Sequence, residues 1–410
     1  MNAVDRRLKS TRGFYRNYVK QSYEDAHRAK AEKRPVAWVS STFPVETLQA
    51  MDVVPIWPEN YASVCAARQV SVELCELAER EGFSRDLCSY SRCVLGSIFG
   101  HEKELPEGGL PKPDFLVATT SACDTHMKWF QVASRIYKAP IFILDTPYNI
   151  GGGDSEHLDG AHIEYYESQL HELFSFLEKQ TGTRLDKYKL SQTLALSDWT
   201  SKLWTEIQDL RKNIPCPMDA RDAFSAVFFM LCMPGSQLAV DFYTQLRDEL
   251  RERVQGGIGA IENERFRLVW DNLPLWYDLG IFEYLNSLGA VVVAEVFSHI
   301  WTGSLDPEKP YESLARKYLP NMANSTIQRR VNIILNLVKD FHVNGVVLPT
   351  NRGCRMMSIG ETIVKEAISK KFGVQSLIID VDSSDWRIAG EQQVKERFAT
   401  FLETLTLESR

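Results

Sequence analysis

The sequence predicts an α/β protein of two units, each with a parallel four-stranded sheet, joined by a helical segment. Helical patterns alternate with short apolar runs, and residues 165–255 are almost wholly helical in pattern. Such runs are typical of parallel strands covered on both faces. The eight runs form two sets of four, at residues 36–41, 53–59, 115–120 and 140–147, then 266–272, 290–296, 345–350 and 376–382.

These patterns divide the 410-residue chain into four parts. Residues 1–34 are predicted to form an N-terminal helical arm rich in Lys and Arg, which we interpret as a solvated helix face. Residues 35–165 form the first α/β domain, residues 166–260 the helical segment and residues 261–410 the second α/β domain.

Composition excludes several classes of protein. The 47 Lys and Arg against 54 Asp and Glu leave a net charge of −7, which argues against a nucleic-acid partner. The longest apolar run, residues 223–233, is shorter than the ~20 residues that a membrane-spanning helix needs. The basic N-terminus has no apolar signal region, so we expect a cytoplasmic protein without membrane insertion.

Cysteines follow corresponding strands of the two units. Cys123 comes after the third run of the first unit, and Cys354 after the third run of the second. Ligands of open parallel sheets bind beyond the carboxyl ends of the strands, and a helix start there stabilises a thiolate. With Cys88 these residues make three soft ligands, which suit an iron–sulfur cluster with one open iron or a three-sulfur zinc site. The alternative is that all three pack as small hydrophobic residues.

Other motifs are missing from the sequence. It has no Walker phosphate loop, no complete dinucleotide fingerprint and no Gly-x-Ser-x-Gly elbow. His299 follows the second run of the second unit, where it is either a polar site residue or a structural histidine.

Six segments, in this order, resemble the family of 2-hydroxyacyl-CoA dehydratase and ATP-dependent benzoyl-CoA reductase subunits. They are AWVSSTFP (37–44), WPEN (57–60), DLCSYSR (86–92), CDTHMKWF (123–130), NRGC (351–354) and DVDSSDWR (380–387). The resemblance implies two Rossmann-like domains with a [4Fe–4S] cluster in the cleft between them. It assigns the cluster ligands to Cys88, Cys123 and Cys354, and leaves the other five cysteines as structural thiols.

The resemblance also implies partners and a reaction. The partners are a paralogous second subunit, an ATP-hydrolysing iron–sulfur activator and an acyl-CoA substrate. One electron added to the thioester gives a ketyl radical that expels the 2-hydroxyl, and the 3-hydrogen then becomes acidic enough to leave. An open iron suits this reaction because it is both Lewis acid and reductant. The missing Walker motif is consistent with a separate activator.

Five further residues are candidates by position. Ser41 matches a family serine beside substrate and cluster, although a serine at a strand end is commonly a helix cap. Glu59 and His299 are the other catalytic candidates. Lys128 and Arg352 are candidates for substrate binding, and Arg352 would offset the cluster charge or meet a CoA phosphate. An ordinary surface ion pair is the alternative for Arg352.

The sequence leaves the reaction open. The segment after Cys123 is closer to the benzoyl-CoA reductase subunits, whereas the surroundings of Ser41, Glu59 and Cys88 are closer to the dehydratases. Three functions therefore remain: a dehydratase subunit, a ring-reducing aryl-CoA reductase subunit, and an electron-relay subunit with a fourth protein ligand and no substrate site. A metal-free α/β protein is the fourth possibility. The acyl group is not determined by these motifs.

Overall fold

The computed structural model describes residues 6–100, 104–149 and 158–408. Two four-stranded parallel sheets form its framework, with the orders β2-β1-β3-β4 and β6-β5-β7-β8. Each unit therefore repeats the same topology, and the predicted two-sheet α/β fold is confirmed. The strands are β1 (Val36–Val39), β2 (Val54–Ile56), β3 (Phe115–Thr119), β4 (Ile141–Leu144), β5 (Phe266–Trp270), β6 (Ala290–Glu295), β7 (Gly345–Asn351) and β8 (Gln375–Val381).

Helices surround both sheets and fill the stretch between them. In the first unit they are α1 (Gln21–Ala31), α2 (Glu46–Ala50), α3 (Pro58–Ala67), α4 (Ser71–Arg80), α5 (Ser89–Phe99) and α6 (Asp124–Tyr137). The middle stretch contains α7 (Gly160–Thr181), α8 (Lys187–Leu210), α9 (Ala220–Ala226), α10 (Phe228–Cys232) and α11 (Gln237–Gln255). The second unit contains α12 (Gly280–Ser287), α13 (Val296–His299), α14 (Pro310–Tyr318), α15 (Ile327–Asp340), α16 (Arg355–Ser358), α17 (Glu361–Phe372) and α18 (Glu391–Glu408).

Three local features differ from the sequence expectation. In the N-terminal arm a π-helix, Tyr15–Lys20, runs into α1, and the described residues before it form mainly turns. The run predicted at 53–59 stops early because Pro58 occupies the first turn of α3, a position that proline favours. The helix predicted over 219–233 is two short helices that meet at Val227.

Burial explains why the strands appear in the sequence as continuous apolar runs. Every residue of β1, β3, β5 and β6 is buried, because helices cover both faces of each sheet. Successive residues of β5 alternate between two cores: Leu268 and Trp270 belong to one, and Val269 to the other. Among the described helices we find none with both the length and the apolar character needed to span a bilayer.

A buried ion-pair network joins the two units close to Cys88. Asp385, in the loop after β8, lies 3.0 Å from Arg92 of α5 (Oδ2 to Nη1), and both side chains are almost fully buried. Arg387 also binds Asp385, at 2.6 Å, and both arginines contact Glu79 of α4. Although burial opposes its charge, Arg387 and Arg92 lower the pKa of Asp385 to about 2.

We predict that Asp385→Asn lowers the free energy of unfolding by about 3–5 kcal/mol, because it leaves Arg92 buried without its full counter-charge. The Asp385 pKa lies below its ordinary value of ~3.9, so this stabilisation is complete above about pH 4 and is lost as the pH falls towards 2. Urea unfolding at pH 7 measures the loss. Glu312→Gln, which removes an exposed pair with Arg316, is the control and should change little. Equal effects of the two variants would contradict the prediction.

Candidate active site

Residues of both units line one cavity of about 150 Å³. Its wall includes residues that follow β1, β3, β7 and β8, namely Ser41, Cys123, Cys354 and Ser383. These are the carboxyl ends of the strands, where open parallel sheets bind their ligands. The two sheets thus direct their ligand-binding edges to a shared space.

The structure brings Cys88, Cys123 and Cys354 together in this cavity. Each is half-buried and occupies the N-cap position of a helix, namely α5, α6 and α16. The Cys123 sulfur accepts a hydrogen bond of 3.4 Å from the backbone N–H of His126. Free N–H groups and the positive end of the helix dipole favour a thiolate at such positions.

The three sulfur atoms influence one another electrostatically. Burial raises the pKa of Cys88 well above its ordinary value, and negative charge on Cys354 and Cys123 raises it further. Burial also raises the pKa of Cys354 to about 12. Burial opposes the Cys123 thiolate as well, but His126 outweighs it and lowers the pKa of Cys123. Three thiolates can share this cavity only with a strong positive charge between them, as a bound metal centre supplies.

The donor set can be tested against the two metal sites that the sequence left open. Across the described ranges, no three His, Cys, Asp or Glu side chains are arranged to hold a single metal ion. In a four-iron cluster each thiolate binds a different iron, so its cysteines stand farther apart than the ligands of one ion. Three soft thiols around one cavity are ligands of the kind that an iron–sulfur cluster takes, and they do not form a site for one zinc ion.

A glycine, Gly353, allows the backbone segments that carry Cys88 and Cys354 to pack closely together. A Cβ atom on Gly353 would lie 2.7 Å from the Cα of Cys88 and 3.1 Å from the carbonyl oxygen of Leu87. The backbone of the second unit thus packs directly on the backbone of the first, next to Cys354. The sequence alone carried no signal for this contact between segments about 265 residues apart.

Three polar residues lie beside Cys123, and two of them, Ser41 and His126, contact the third, Glu59. The backbone N–H of Ser41 donates to Glu59 Oε1 at 2.8 Å, and His126 Nε2 lies 3.1 Å from the same oxygen. Burial opposes charge on His126, yet Cys123 and Glu59 raise its pKa to about 9. Among the described residues, Glu59 Oε2 and His126 Nδ1 are buried without a hydrogen-bond partner. This leaves one carboxylate oxygen free on a residue of the cavity wall.

His126 was not among the predicted site residues. A usable signal was present, because a side chain three residues after an N-cap cysteine lies over the first helical turn and can face the same ligand. Its contact with Glu59 depends on where the fold places the start of α3 relative to the start of α6, which the sequence pattern does not reveal.

Three predicted site residues lie outside the cavity wall. Lys128 is exposed on α6, and its Nζ lies 3.4 Å from Gln131 Oε1. Arg352 is exposed at the end of β7. His299 Nδ1 lies 2.8 Å from the carbonyl oxygen of Glu295, and burial lowers the pKa of His299 to about 4. The roles given to these three residues remain predictions.

The fold and the site define a class: α/β proteins with two Rossmann-like sheets and a cysteine-lined cavity where their strand ends meet. The family model of the 2-hydroxyglutaryl-CoA dehydratase D-component matches residues 40–405. The chain belongs to this family of enzyme subunits.

Relatives span both kinds of enzyme that the sequence resembles. The (R)-2-hydroxyisocaproyl-CoA dehydratase alpha subunit of Clostridioides difficile is 26% identical over 400 residues, which cover 97% of this chain and 96% of the relative. The (R)-phenyllactyl-CoA dehydratase alpha subunit of Clostridium sporogenes is 27% identical over 396 residues, covering 95% and 94%. A benzoyl-CoA reductase subunit of Thauera aromatica is 26% identical over 377 residues, covering 87% and 85%. The resemblance inferred from the six segments is confirmed.

We predict that Gly353→Ala lowers the free energy of unfolding by about 1–3 kcal/mol, because the added methyl group forces the two backbones apart. Chemical unfolding of purified protein measures the change. Gly160→Ala is the matched control, since a Cβ there meets nothing within 4 Å. A Gly353 variant as stable as the control would show that the contact relaxes without cost.

Proposed function

We propose that this chain is the [4Fe–4S]-bearing subunit of a radical 2-hydroxyacyl-CoA dehydratase. The observation that carries the proposal is the meeting of Cys88, Cys123 and Cys354 at three helix starts around one cavity. Membership of the dehydratase D-component family supports it. In the overall reaction a 2-hydroxyacyl-CoA loses water to give the enoyl-CoA, and the electron that starts the reaction is returned at the end.

We propose two protein partners. The dehydratase relatives are named as alpha subunits, and the reductase relative is also named as one subunit of its enzyme, which supports a second subunit here. The sequence has no Walker phosphate loop, which supports a separate ATP-hydrolysing activator as the source of the electron.

In this proposal Cys88, Cys123 and Cys354 hold the cluster as thiolates. When bound, the cluster supplies a low-potential electron and a Lewis-acidic iron at the thioester end of the substrate. The apolar part of the cavity wall keeps water away from the reacting carbons. Exclusion of water matters because a radical of the substrate must survive until the hydroxyl group has left.

Glu59 is the proposed acid–base residue. The backbone N–H of Ser41 and the His126 ring both contact Oε1 of Glu59. Oε2 has no hydrogen-bond partner and is free to exchange a proton with the substrate. In a syn elimination the 2-hydroxyl and the 3-hydrogen leave from the same face, so one carboxyl group can give its proton to the departing hydroxide and then regain a proton from the 3-position. The Ser41 hydroxyl is the proposed contact to the substrate hydroxyl.

Lys128 and Arg352 are proposed as contacts to CoA phosphates. Both are exposed and near the helix start or strand end that carries a cavity cysteine, Cys123 or Cys354. Long cationic side chains at such sites can reach the anionic part of a substrate whose thioester lies inside.

A ring-reducing aryl-CoA reductase is the second candidate. The similarity to the benzoyl-CoA reductase subunit of Thauera aromatica and the aromatic side chains in the cavity favour it. Product analysis separates the two functions, because one yields an enoyl-CoA and water and the other a cyclic diene. A cavity beside the cysteines argues against a pure electron relay, which needs no substrate site.

We predict about four irons and matching sulfide per chain in protein purified without oxygen, and loss of most of this iron in Cys88→Ala, Cys123→Ala and Cys354→Ala. Each variant removes one thiolate ligand from the cluster. Cys93→Ala is the matched control, since Cys93 is fully buried outside the cavity wall. Iron-free wild-type protein after reconstitution, or iron retained in all three variants, would reject the cluster.

We predict that Glu59→Gln keeps its iron but lowers kcat about 10²- to 10⁴-fold, the usual contribution of a general acid–base group. Iron content and acyl-CoA dehydration with the activator are measured on the same preparation. The exposed Glu81→Gln serves as control. Full activity of Glu59→Gln would show that another group moves the proton.

A further inference from the structure

The cavity lining contains two chemically different sets of side chains. The cysteines, Ser41 and Glu59 form the polar set. The second set, here called the aromatic wall, consists of Trp57, Phe224, Phe228, Trp276, Phe297 and Trp301. A ligand that fills the cavity therefore meets aromatic rings as well as soft and polar atoms.

The aromatic wall is assembled from distant parts of the chain and is already packed. The Phe224 ring of α9 lies 6.2 Å from Trp276 and 6.3 Å from Phe297, between ring centroids. Phe297 and Trp301 meet edge to face at 5.4 Å. The indole N–H of Trp276 donates to Tyr90 Oη of the first unit. Such contacts hold the wall in one shape before a ligand arrives.

Charged side chains are absent from the aromatic wall. Within the described part of the cavity lining, the carboxylate of Glu59 is engaged by Ser41 and His126. Asp124 and Arg355 also belong to the lining, but they pair with each other at 2.7 Å and are both about two-thirds exposed at the rim. His126, the remaining cation of the described lining, is paired with Glu59. A carboxylate at the far end of an acyl chain would thus be buried against rings without an unpaired cation, which is strongly unfavourable. An apolar group there is favoured by its burial.

We infer that the substrate of this chain carries an apolar, uncharged acyl side chain, aryl or branched alkyl, that lies on the aromatic wall. Acyl-CoA compounds whose acyl chain ends in a second carboxylate are excluded as substrates. This inference rests on the proposed function, since it takes the three cysteines as the position of the thioester. It names the substrate class that the family membership leaves open.

The test is a binding series on the anaerobically purified holoenzyme with its partner subunit. The probes are thioesters without a 2-hydroxyl, which cannot react: 3-phenylpropanoyl-CoA, 4-methylpentanoyl-CoA, glutaryl-CoA and CoA itself, titrated by calorimetry. We expect the two apolar thioesters to bind at least about tenfold more tightly than glutaryl-CoA, as for other apolar pockets that discriminate by side chain. Glutaryl-CoA binding as tightly as the apolar thioesters would overturn the inference.

Trp301→Ala tests the wall itself. It should weaken 3-phenylpropanoyl-CoA binding about tenfold, in line with the loss of an aromatic contact, and leave glutaryl-CoA binding unchanged. Trp199→Ala, at an exposed tryptophan of α8, should change neither. An equal loss for all thioesters would contradict a selective wall. If Trp301→Ala does not fold, the wild-type series decides alone.

Turnover separates the inference from the proposed function. The matching 2-hydroxyacyl-CoAs are incubated with the activator and the wild-type holoenzyme. Apolar selectivity in binding without dehydration of any substrate would reject the dehydratase alone. Dehydration with a preference for 2-hydroxyglutaryl-CoA would reject the inference alone. No thioester binding more tightly than CoA would reject both.

Discussion

The contact between the backbones of Gly353 and Cys88 is the constraint on which the site depends. Only a residue without a Cβ lets the turn after β7 lie against the start of α5 at this distance. That approach brings Cys354 of the second unit beside Cys88 of the first. The buried Arg92–Asp385 pair also holds α5 to the second unit, at the loop after β8. Packing and charge thus act on one junction, and a loosened junction separates two of the three cysteines.

Electrostatics gives the cavity its chemical character. Three thiols and the carboxyl group of Glu59 meet there, while His126 supplies the nearest positive charge. One imidazolium cannot balance several anions in a buried space. Cys88 and Cys354, whose pKa values are raised by burial, therefore keep their protons unless a strongly positive centre is bound. The aromatic wall adds rings without charge to the same lining. In the proposed function, the reacting carbons of the thioester lie at the sulfur atoms and its side chain lies at the rings.

Much of the framework was predictable because burial leaves a direct trace in the sequence. Each of the eight predicted runs overlaps a strand, since strands covered on both faces must be largely apolar. The helix predicted over 219–233 was wrong in its continuity, because an all-apolar stretch indicates burial but not where a helix bends. Strand topology selected Cys123 and Cys354, and the family resemblance added Cys88. The roles of His126 and Gly353 were not predicted, because both depend on contacts with residues that are far away in the chain.

The sequence by itself determined the two parallel sheets of four strands each and the cysteines that follow equivalent strands. These follow from local periodicity and from the rule that parallel strands end at one edge. The tertiary structure decided which cysteines share a cavity, which oxygen of Glu59 stays unpaired and which rings form the aromatic wall. It also left Lys128, Arg352 and His299 outside the cavity wall. The physical reason is that the angle and distance between the two units depend on packing between segments hundreds of residues apart, and no local pattern records that packing.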